Sequence, residues 1–189
     1  MEKKEMEYFR LFRDVCKIMN SSLNIREVLD LIASNIVIEL NAKASSILLL
    51  DKIKKRLEIS SSFGLTEAYL SKGPLDAEKS ILTSLEGKPV MVFDAANDSR
   101  IQFPEEAKKE GIASILSVPI PVKGNVIGVL RIYTSQPREF TGEEIELVCS
   151  LAEMGGIAIE NARMYHHLKM DYEGLFNDVH QWFDFGGPK

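Results

Sequence analysis

The sequence has few of the residues that mark disulfide-rich, metal-binding or membrane-spanning proteins. Its two cysteines, Cys16 and Cys149, are widely separated in the chain and make neither a disulfide framework nor a metal-ligand spacing. Its longest purely aliphatic run, Ile47 to Leu50, is far too short to cross a bilayer. The charged residues 1–5 lack the apolar core of a signal peptide. These absences predict a cytoplasmic protein that does not enter a membrane.

An excess of basic charge is also missing. The chain has 23 Lys and Arg against 28 Asp and Glu, a net charge of −5, and the two signs are interleaved. A nucleic-acid-binding protein needs a basic surface that neutralises phosphates, so we expect no nucleic-acid partner. The hydrophobic fraction of 45% and the charged fraction of 27% are those of an ordinary globular protein. A chain of 189 residues is long enough for one large domain, or for one domain and an extension.

Hydrophobic periodicity predicts helices near both ends of the chain and strands between them. Asn24, with Glu27 three residues later, is a variant of the capping box that opens a helix. The helices are predicted over residues 5–20, from 24 onwards, over 77–85, over 105–110 and from 141 onwards, and the strands over residues 45–51, 57–63, 90–93, 113–122 and 126–133. This order predicts an α+β fold, with a central antiparallel sheet of five to six strands and the N- and C-terminal helices packed on one face.

The last helix carries a heptad seam, in which residues recur at alternating steps of four and three. Its members are Leu147, Leu151, Met154, Ala158, Asn161, Tyr165, Leu168, Tyr172, Leu175, Val179 and Trp182. A second apolar stripe, from Ile145 to Ala162, ends earlier. We expect this stripe to pack on its own domain and the seam to form a coiled coil with a second copy; the alternative is that residues 172–182 fold back onto the domain. The pattern predicts a domain over residues 1–165 and a helical extension with a tail over residues 166–189.

Several ordered motifs resemble those of GAF domains, a small-molecule sensory fold related to PAS domains. The matching residues are the run 114–120 (Ser-Ile-Leu-Ser-Val-Pro-Ile), the run 124–130 (Gly-Asn-Val-Ile-Gly-Val-Leu), Phe140-Thr141, Asp94 with a loop that continues to Arg100 and Phe103, and the opening run 23–29. The resemblance implies that the first and last helices lie on one side of the sheet and a ligand pocket on the other. Gly128 is expected to let a helix approach its strand, and Gly155-Gly156 to let a neighbour approach the last helix, with a kink as the alternative for that pair.

Strand alternation and the family pattern together predict the residues of a ligand pocket. The candidate ligand-binding residues are Ser62, Phe93, Asp94, Arg100, Phe103, Ile115, Ser117 and Arg131. Such a set of aromatic, charged and hydroxyl side chains would hold a small polar ligand. The alternative is a pocket filled by its own side chains, in which Asp94 caps the loop, Arg100 pairs with Asp94, and both phenylalanines are core residues.

The sequence lacks the residues that bind the known cofactors and ligands of GAF domains. At the positions of the cyclic-nucleotide motif the chain has Thr134-Ser135 and Glu144-Ile145, and Phe140 alone matches. The histidines His166, His167 and His180 lie on the last helix, beyond the body of the fold, so no axial haem ligand is identified. No pocket cysteine for a bilin and no metal-binding spacing is identified either.

The residues and the resemblance lead to one interpretation of function with two alternatives. We interpret the chain as a cytoplasmic sensory module that binds an unknown small molecule and signals to an unknown downstream protein through a helical homodimer interface. The first alternative is a ligand-free structural dimerisation module. The second is a redox enzyme of the free methionine sulfoxide reductase type, which needs pocket cysteines. Because Cys16 and Cys149 occupy apolar positions of helical patterns, we expect no enzyme.

Overall fold

A computed structural model describes residues 2–21, 24–77 and 87–184 of the chain. A six-stranded antiparallel sheet forms its centre, in the order β3-β2-β1-β6-β5-β4. The strands are β1 (Ala44–Asp51), β2 (Arg56–Phe63), β3 (Leu75–Asp76), β4 (Val90–Val92), β5 (Ser114–Val122) and β6 (Asn125–Thr134). The helices are α1 (Glu2–Ser21), α2 (Ile25–Glu39), α3 (Glu67–Leu70), α4 (Pro104–Glu110) and α5 (Gly142–Asp184).

Helices α1, α2 and α5 pack on the same face of the sheet. Their apolar side chains share one buried core with the sheet residues Ile47, Leu116, Val118, Ile120 and Leu130. Because successive strand residues point to opposite faces, other strand residues, such as Ile115 and Val129, belong to two smaller buried clusters on the other side. The predicted α+β fold with the terminal helices on one face is confirmed.

The structure shows the helix cap and the hairpin turn that the sequence predicts. Asn24 Oδ1 accepts a hydrogen bond from Arg26 N–H (3.1 Å), and Asn24 Nδ2 donates to Glu27 Oε1 (3.1 Å), so α2 begins at Ile25 as expected. The β5–β6 hairpin turns at Lys123 and Gly124, whose φ angles of 48° and 79° fit a two-residue turn of primed type.

Two short elements were not predicted. Helix α3 has four residues and strand β3 has two, too few to show a hydrophobic period in the sequence. Thr66 caps α3 by accepting a hydrogen bond from Tyr69 N–H (3.3 Å). Strand β3 pairs with β2 at the edge of the sheet, where Leu75 lies opposite Leu57, and Tyr69 of α3 contacts Tyr133 on the sheet face opposite α1, α2 and α5. The helix predicted over residues 77–85 falls, beyond Ala77, outside the described residues.

Close backbone approach is confirmed for Gly156 and has a different partner at Gly128. A Cβ atom on Gly156 would lie 2.5 Å from the carbonyl oxygen of Pro121, so α5 packs directly on the backbone of β5. A Cβ atom on Gly128 would lie 2.2 Å from the carbonyl oxygen of Leu48. The expectation that a helix approaches Gly128 is therefore wrong, because the neighbour is the paired strand β1.

The heptad seam divides into two parts. Leu147, Leu151 and Ala158 are buried in the core of their own domain, and half-buried Met154 packs against the same core. The interpretation of these four as a dimer seam is wrong, because both apolar stripes merge here into one wide face that the sheet and the N-terminal helices cover. The next four seam residues, Asn161, Tyr165, Leu168 and Tyr172, are exposed. The side chains of Leu175, Val179 and Trp182, and of His180, lie outside the described residues.

Candidate functional site

A small cavity lies on the sheet face opposite α1, α2 and α5. The loop that leads into α4 forms one wall, and strands β5 and β6 form another. The lining residues are Tyr69, Lys72, Leu75, Arg100, Ile101, Gln102, Phe103, Ile115 and Arg131. The volume of the cavity is about 10 Å³, which is enough for about one water molecule. In this conformation the cavity is almost completely filled by its own side chains.

Four of the eight predicted pocket residues line this cavity: Arg100, Phe103, Ile115 and Arg131. Ser117 is buried on the same sheet face, paired across the strands with Val90 and Arg131, but it does not line the cavity. Strand alternation thus places the β5 and β6 residues on the expected face, and the ligand-binding role of all of them stays a prediction.

Phe93 lies outside the cavity, contrary to the prediction. Its side chain is 50% exposed, whereas Val92 is 0% exposed and packs with Ile115. Strand β4 ends at Val92, which pairs with Ile115, so Val92 is the residue that points to the cavity face. The prediction extended the strand by one residue and assigned Phe93 to the wrong face.

Asp94 and Arg100 have separate partners, so the alternative of a self-filled pocket is right about the Asp94 cap and wrong about a pair between Asp94 and Arg100. Asp94 is exposed and caps its own loop, because its carboxylate accepts hydrogen bonds from Ala96 N–H (3.2 Å) and from Asn97 Nδ2 (2.8 Å). Arg100 instead pairs with Asp98, to which Nε donates at 2.9 Å, and it also donates to the Met91 carbonyl oxygen (3.3 Å). The Arg100 guanidinium keeps the pKa of Asp98 below its usual value.

Ser62 lines a different depression, an open groove beside strand β2. The groove is lined by Arg26, Asp30, Ile59, Ser60, Ser61, Ser62 and Leu70, and its volume is about 500 Å³. Strand β2 has an irregular register at this point, so that Ser60 stands between residues that pair with β1. The hydroxyl of Ser61 donates to Asp30 Oδ1 (2.6 Å), which ties the strand to α2.

Tyr69, Lys72, Leu75, Ile101 and Gln102 line the cavity and were not predicted. Tyr69, Lys72 and Leu75 belong to α3 and β3 or to the short connection between them. Gln102 Nε2 donates to the Asp76 carbonyl oxygen (2.8 Å), and its Oε1 accepts from Asp76 N–H (2.9 Å). This double hydrogen bond joins the loop before α4 to strand β3, which closes one side of the cavity.

Two tyrosines pack against each other beside the cavity, and one of them, Tyr69, lines it. The rings of Tyr69 and Tyr133 meet edge to face with their centroids 6.1 Å apart. The hydroxyl of Tyr133 makes a buried hydrogen bond of 2.8 Å with the hydroxyl of Ser46. Burial, with Tyr133 close by, raises the pKa of Tyr69 far above its usual value, so Tyr69 stays neutral.

The electrostatics of the cavity centre on Lys72. Its Nζ atom lies 3.6 Å from the centroid of the Tyr69 ring and donates a hydrogen bond to the Tyr69 carbonyl oxygen (3.1 Å). Burial and the nearby Arg131 lower the pKa of Lys72 to about 8, against the opposing pull of Glu110 and Glu106. Arg131 itself is 5% exposed. Lys72 and Arg131 therefore each bring a positively charged side chain to the cavity, and Glu106 and Glu110 act on Lys72 from nearby.

Other kinds of chemistry have little support in the described part of the chain. No cysteine lines the cavity: Cys149 packs against the core on the helix side of the sheet, and Cys16 is exposed on α1. Burial raises the pKa of the Cys149 thiol, so its reactive thiolate form is disfavoured. Within the described ranges, no group of three or more His, Cys, Asp or Glu side chains is placed to hold a metal ion. None of the helices searched there is both long and apolar enough to cross a bilayer.

Comparison with known proteins identifies the fold. A family model described as "GAF domain" matches residues 22–160. The GAF domain of a phosphoenolpyruvate-protein phosphotransferase from Coxiella burnetii superposes with a TM-score of 0.76, at 22% identity over 86% of this chain and 98% of that chain. A methyl-accepting chemotaxis protein fragment superposes with a TM-score of 0.66, at 20% identity over 80% of this chain and 98% of that chain.

An enzyme has the same architecture. The free methionine-R-sulfoxide reductase of Neisseria meningitidis, solved with its substrate, superposes with a TM-score of 0.71, at 16% identity over 84% of this chain and 91% of that chain. At such identities the similarity establishes a shared fold, which hosts more than one function. No curated protein matches the sequence.

Proposed function

We propose that this chain, which belongs to the GAF domain family, is a regulatory module that binds a small molecule in the cavity beneath the 94–103 loop and reports the binding to α5. The observation that carries the proposal is a chain of hydrogen bonds that leads from this loop to the first turn of α5. The cytoplasm is the proposed location, and catalysis is not proposed, because the described cysteines lie away from the cavity.

The chain of hydrogen bonds begins at the residue before the loop. Ser114 Oγ donates to the carbonyl oxygen of Phe93 (2.7 Å) and accepts a hydrogen bond from Arg138 N–H (3.0 Å). The Arg138 guanidinium donates to the carbonyl oxygen of Leu40 (2.7 Å) and to Glu144 Oε1 (2.7 Å). A ligand that displaced the loop would therefore act on groups that hold the end of α2 and the start of α5.

The proposed output is a homodimer whose interface lies on the distal part of α5. Tyr165, Leu168 and Tyr172 are exposed at heptad spacing, and Leu168 is 69% exposed. On the N-terminal helix, Phe9 is also largely exposed. A second copy of α5 is the partner that a heptad repeat of this kind fits. A ligand that binds two dimer arrangements with different affinity would shift the population between them and so signal to a downstream protein.

Disulfide crosslinking tests the proposal. Cysteines are introduced at Tyr165 or Leu168 in a chain in which Cys16 and Cys149 are replaced by serine, and crosslinking rates are compared with and without each ligand that native mass spectrometry detects. We expect a ligand-dependent rate. Ser114→Ala should still bind ligand but lose the dependence, whereas Ser150→Ala should keep it, because the Ser150 hydroxyl bonds within α5, to the Glu146 carbonyl oxygen. A monomeric chain, or rates that every bound ligand leaves unchanged, would contradict the proposal.

The volume of about 10 Å³ favours a second candidate, a ligand-free structural dimerisation module. Native mass spectrometry of the purified protein, followed by denaturing spectra, separates the two. A dimer that carries a small-molecule mass, lost on denaturation, supports the regulatory module. A dimer without any such mass supports the structural module, provided that a panel of added metabolites also leaves the mass of the dimer unchanged.

A further inference from the structure

We infer that residues 65–72, called the lid below, open to admit the ligand to the cavity, and that the buried carboxylate of Glu110 holds them closed. The inference rests on the proposed function, because it identifies the wall through which the ligand enters. Tyr69 and Lys72 of the lid line the cavity. Since the cavity holds about one water molecule in this conformation, one of its walls must move before any larger molecule can bind.

The other walls of the cavity are held more firmly than the lid. Strands β5 and β6 each pair with a neighbouring strand on both sides. The loop before α4 packs through Ala95, which is 0% exposed and donates a backbone hydrogen bond to the Ala113 carbonyl oxygen (2.8 Å). Gln102 of that loop makes two hydrogen bonds with Asp76 of strand β3. In the lid, by contrast, Tyr69 is the one residue that is buried.

The lid lies between two glycines with positive φ angles. Gly64 has a φ of 78°, and a Cβ atom there would lie 2.6 Å from the Lys43 carbonyl oxygen, so the chain is fixed against the sheet at this point. Gly73 has a φ of 96°, and a Cβ atom there would have no neighbour within 4 Å among the described residues. Because glycine adopts both signs of φ, Gly73 can absorb the rotation of a moving segment, while strand β3 beyond it stays paired with β2.

Glu110, the last residue of α4, fastens the lid to the rest of the domain. Its carboxylate is 3% exposed and accepts hydrogen bonds from Thr66 N–H (3.1 Å) and from Thr66 Oγ1, and Lys43 Nζ lies 3.8 Å away. Thr66 in turn caps α3 by accepting a hydrogen bond from Tyr69 N–H. One carboxylate thus holds the first turn of the lid through charge-assisted hydrogen bonds, which are about twice as strong as neutral ones.

The charge of Lys72 favours the open position. Burial, with Arg131 close by, lowers the pKa of Lys72 to about 8, although Glu110 and Glu106 act in the opposite direction. At neutral pH the closed lid therefore keeps a charged ammonium group partly out of water, which is unfavourable. Because outward movement of the lid returns this group to solvent, the hydrogen bonds of Glu110 act against a charge that favours opening.

Cysteine accessibility on the full chain tests the inference without any ligand. Ile115→Cys places a thiol in the cavity wall, and Leu116→Cys places one in the core on the opposite face of β5. Cys16 and Cys149 are replaced by serine in both reporter chains. Iodoacetamide should modify the first thiol when the cavity opens and the second only when the domain unfolds, and mass spectrometry of the intact protein measures both rates.

Three further substitutions are made in the reporter chains. Glu110→Gln should raise the rate at Ile115→Cys about tenfold, because charge-assisted hydrogen bonds to the lid are lost. The control, Glu105→Gln, removes an exposed charge from the same helix and should leave the rate unchanged. Gly156→Ala disturbs the packing of α5 on the other side of the sheet, so it should speed modification at Leu116→Cys and leave Ile115→Cys unchanged.

Each outcome decides the question. A rate at Ile115→Cys that responds to Glu110→Gln and not to Gly156→Ala supports the lid. Equal acceleration of Ile115→Cys by these two variants, or no acceleration by Glu110→Gln, overturns the inference. An acceleration by Gln102→Ala that matches that of Glu110→Gln also overturns it, because the loop would then be the wall that moves. Since native mass spectrometry tests the proposed function separately, a ligand found on a protein without a moving lid would leave that function standing.

Discussion

Arg138 and Glu144 form an ion pair with an Nη2–Oε1 distance of 2.7 Å at the start of α5. Glu144 also forms a capping box with Thr141: its Oε2 accepts from Thr141 N–H (3.1 Å), and Thr141 Oγ1 accepts from Glu144 N–H (3.2 Å). Since Arg138 also donates to the Leu40 carbonyl oxygen, a single side chain fastens the end of α2 to the first turn of α5.

Replacement of Arg138 tests this fastening. Arg138→Gln removes charge-assisted hydrogen bonds to a largely buried carboxylate, and we expect the free energy of unfolding to fall by about 1.5–3 kcal/mol. Arg138→Lys keeps the charge, but lysine lacks the planar guanidinium that donates to both acceptors. Its free energy of unfolding should therefore lie between those of Arg138→Gln and the unaltered chain. Urea denaturation measures both. Equal stability of Arg138→Lys and the unaltered chain would show that charge alone suffices.

The adjacent glycines of α5 provide a matched pair. A Cβ atom on Gly156 would lie 2.5 Å from the Pro121 carbonyl oxygen, whereas one on Gly155 would meet only the Ile32 and Leu29 side chains, at 3.6 and 3.8 Å. Gly156→Ala should therefore destabilise by about 1–3 kcal/mol. Gly155→Ala should be neutral or stabilising by up to about 1 kcal/mol, because alanine is the better helix former. Thermal unfolding of the two variants decides the matter, and a reversed order would contradict the packing of α5 on β5.

The end of β4 gives a second contrast between neighbours. Val92→Ala removes two buried methyl groups and should lower the free energy of unfolding by about 2 kcal/mol. Phe93→Ala truncates a half-exposed ring and should cost no more than about 1 kcal/mol. Chemical denaturation measures both changes. A larger loss for Phe93→Ala would place its ring in the core and reverse the assignment of faces.

The pKa of Lys72 makes stability depend on pH. Its pKa is about 8 in the folded chain against 10.5 for the ordinary side chain, so between these values the unfolded chain binds more protons. Stability should therefore rise as the pH increases from about 8 to 10.5, because folding removes a proton from Lys72 and that removal becomes less costly at higher pH. The groups that act on Lys72 are Arg131, which lowers its pKa, and Glu106 and Glu110, which raise it.

Urea midpoints across this pH range provide the measurement for Lys72. In Lys72→Met the contribution of this side chain should vanish, while Lys52→Met should retain it and serves as the control for loss of a surface charge. If the pH dependence is identical in the two variants, Lys72 keeps its ordinary pKa in the folded protein.

Long periodic segments and turn residues were predictable from the sequence. The strands β5 and β6, the cap at Asn24 and the close approach at Gly156 each follow from local signals that tertiary packing reinforces. Four cavity residues followed from the period of two along strands and from the family pattern. Each of these features is indicated by residues that lie close together in the sequence.

Other features depend on contacts that no short pattern encodes. Lys72 lines the cavity because of the positions of α3 and β3 on either side of it. These two elements are stabilised by the Thr66 cap and by the hydrogen bonds of Gln102, and they are too short to show a hydrophobic period in the sequence. Phe93 was misplaced because the short β4 segment does not show in the sequence which alternate residues face the cavity, and the pairing with β5 gives that face to Val90 and Val92. The first part of the seam was misassigned because a helix in a dimer and a helix on a sheet bury similar stripes.

Helix α5 is a single element of 43 residues, about 65 Å long at 1.5 Å per residue. Its first half is seated on the sheet through Gly156, and the part after residue 160 extends for about 36 Å. Because of this length, a tilt of about 5° in the half that packs on the sheet would move the far end by about 3 Å. A displacement too small to disturb the packing of the domain would thus become, at residue 184, a shift comparable to the spacing between neighbouring residues.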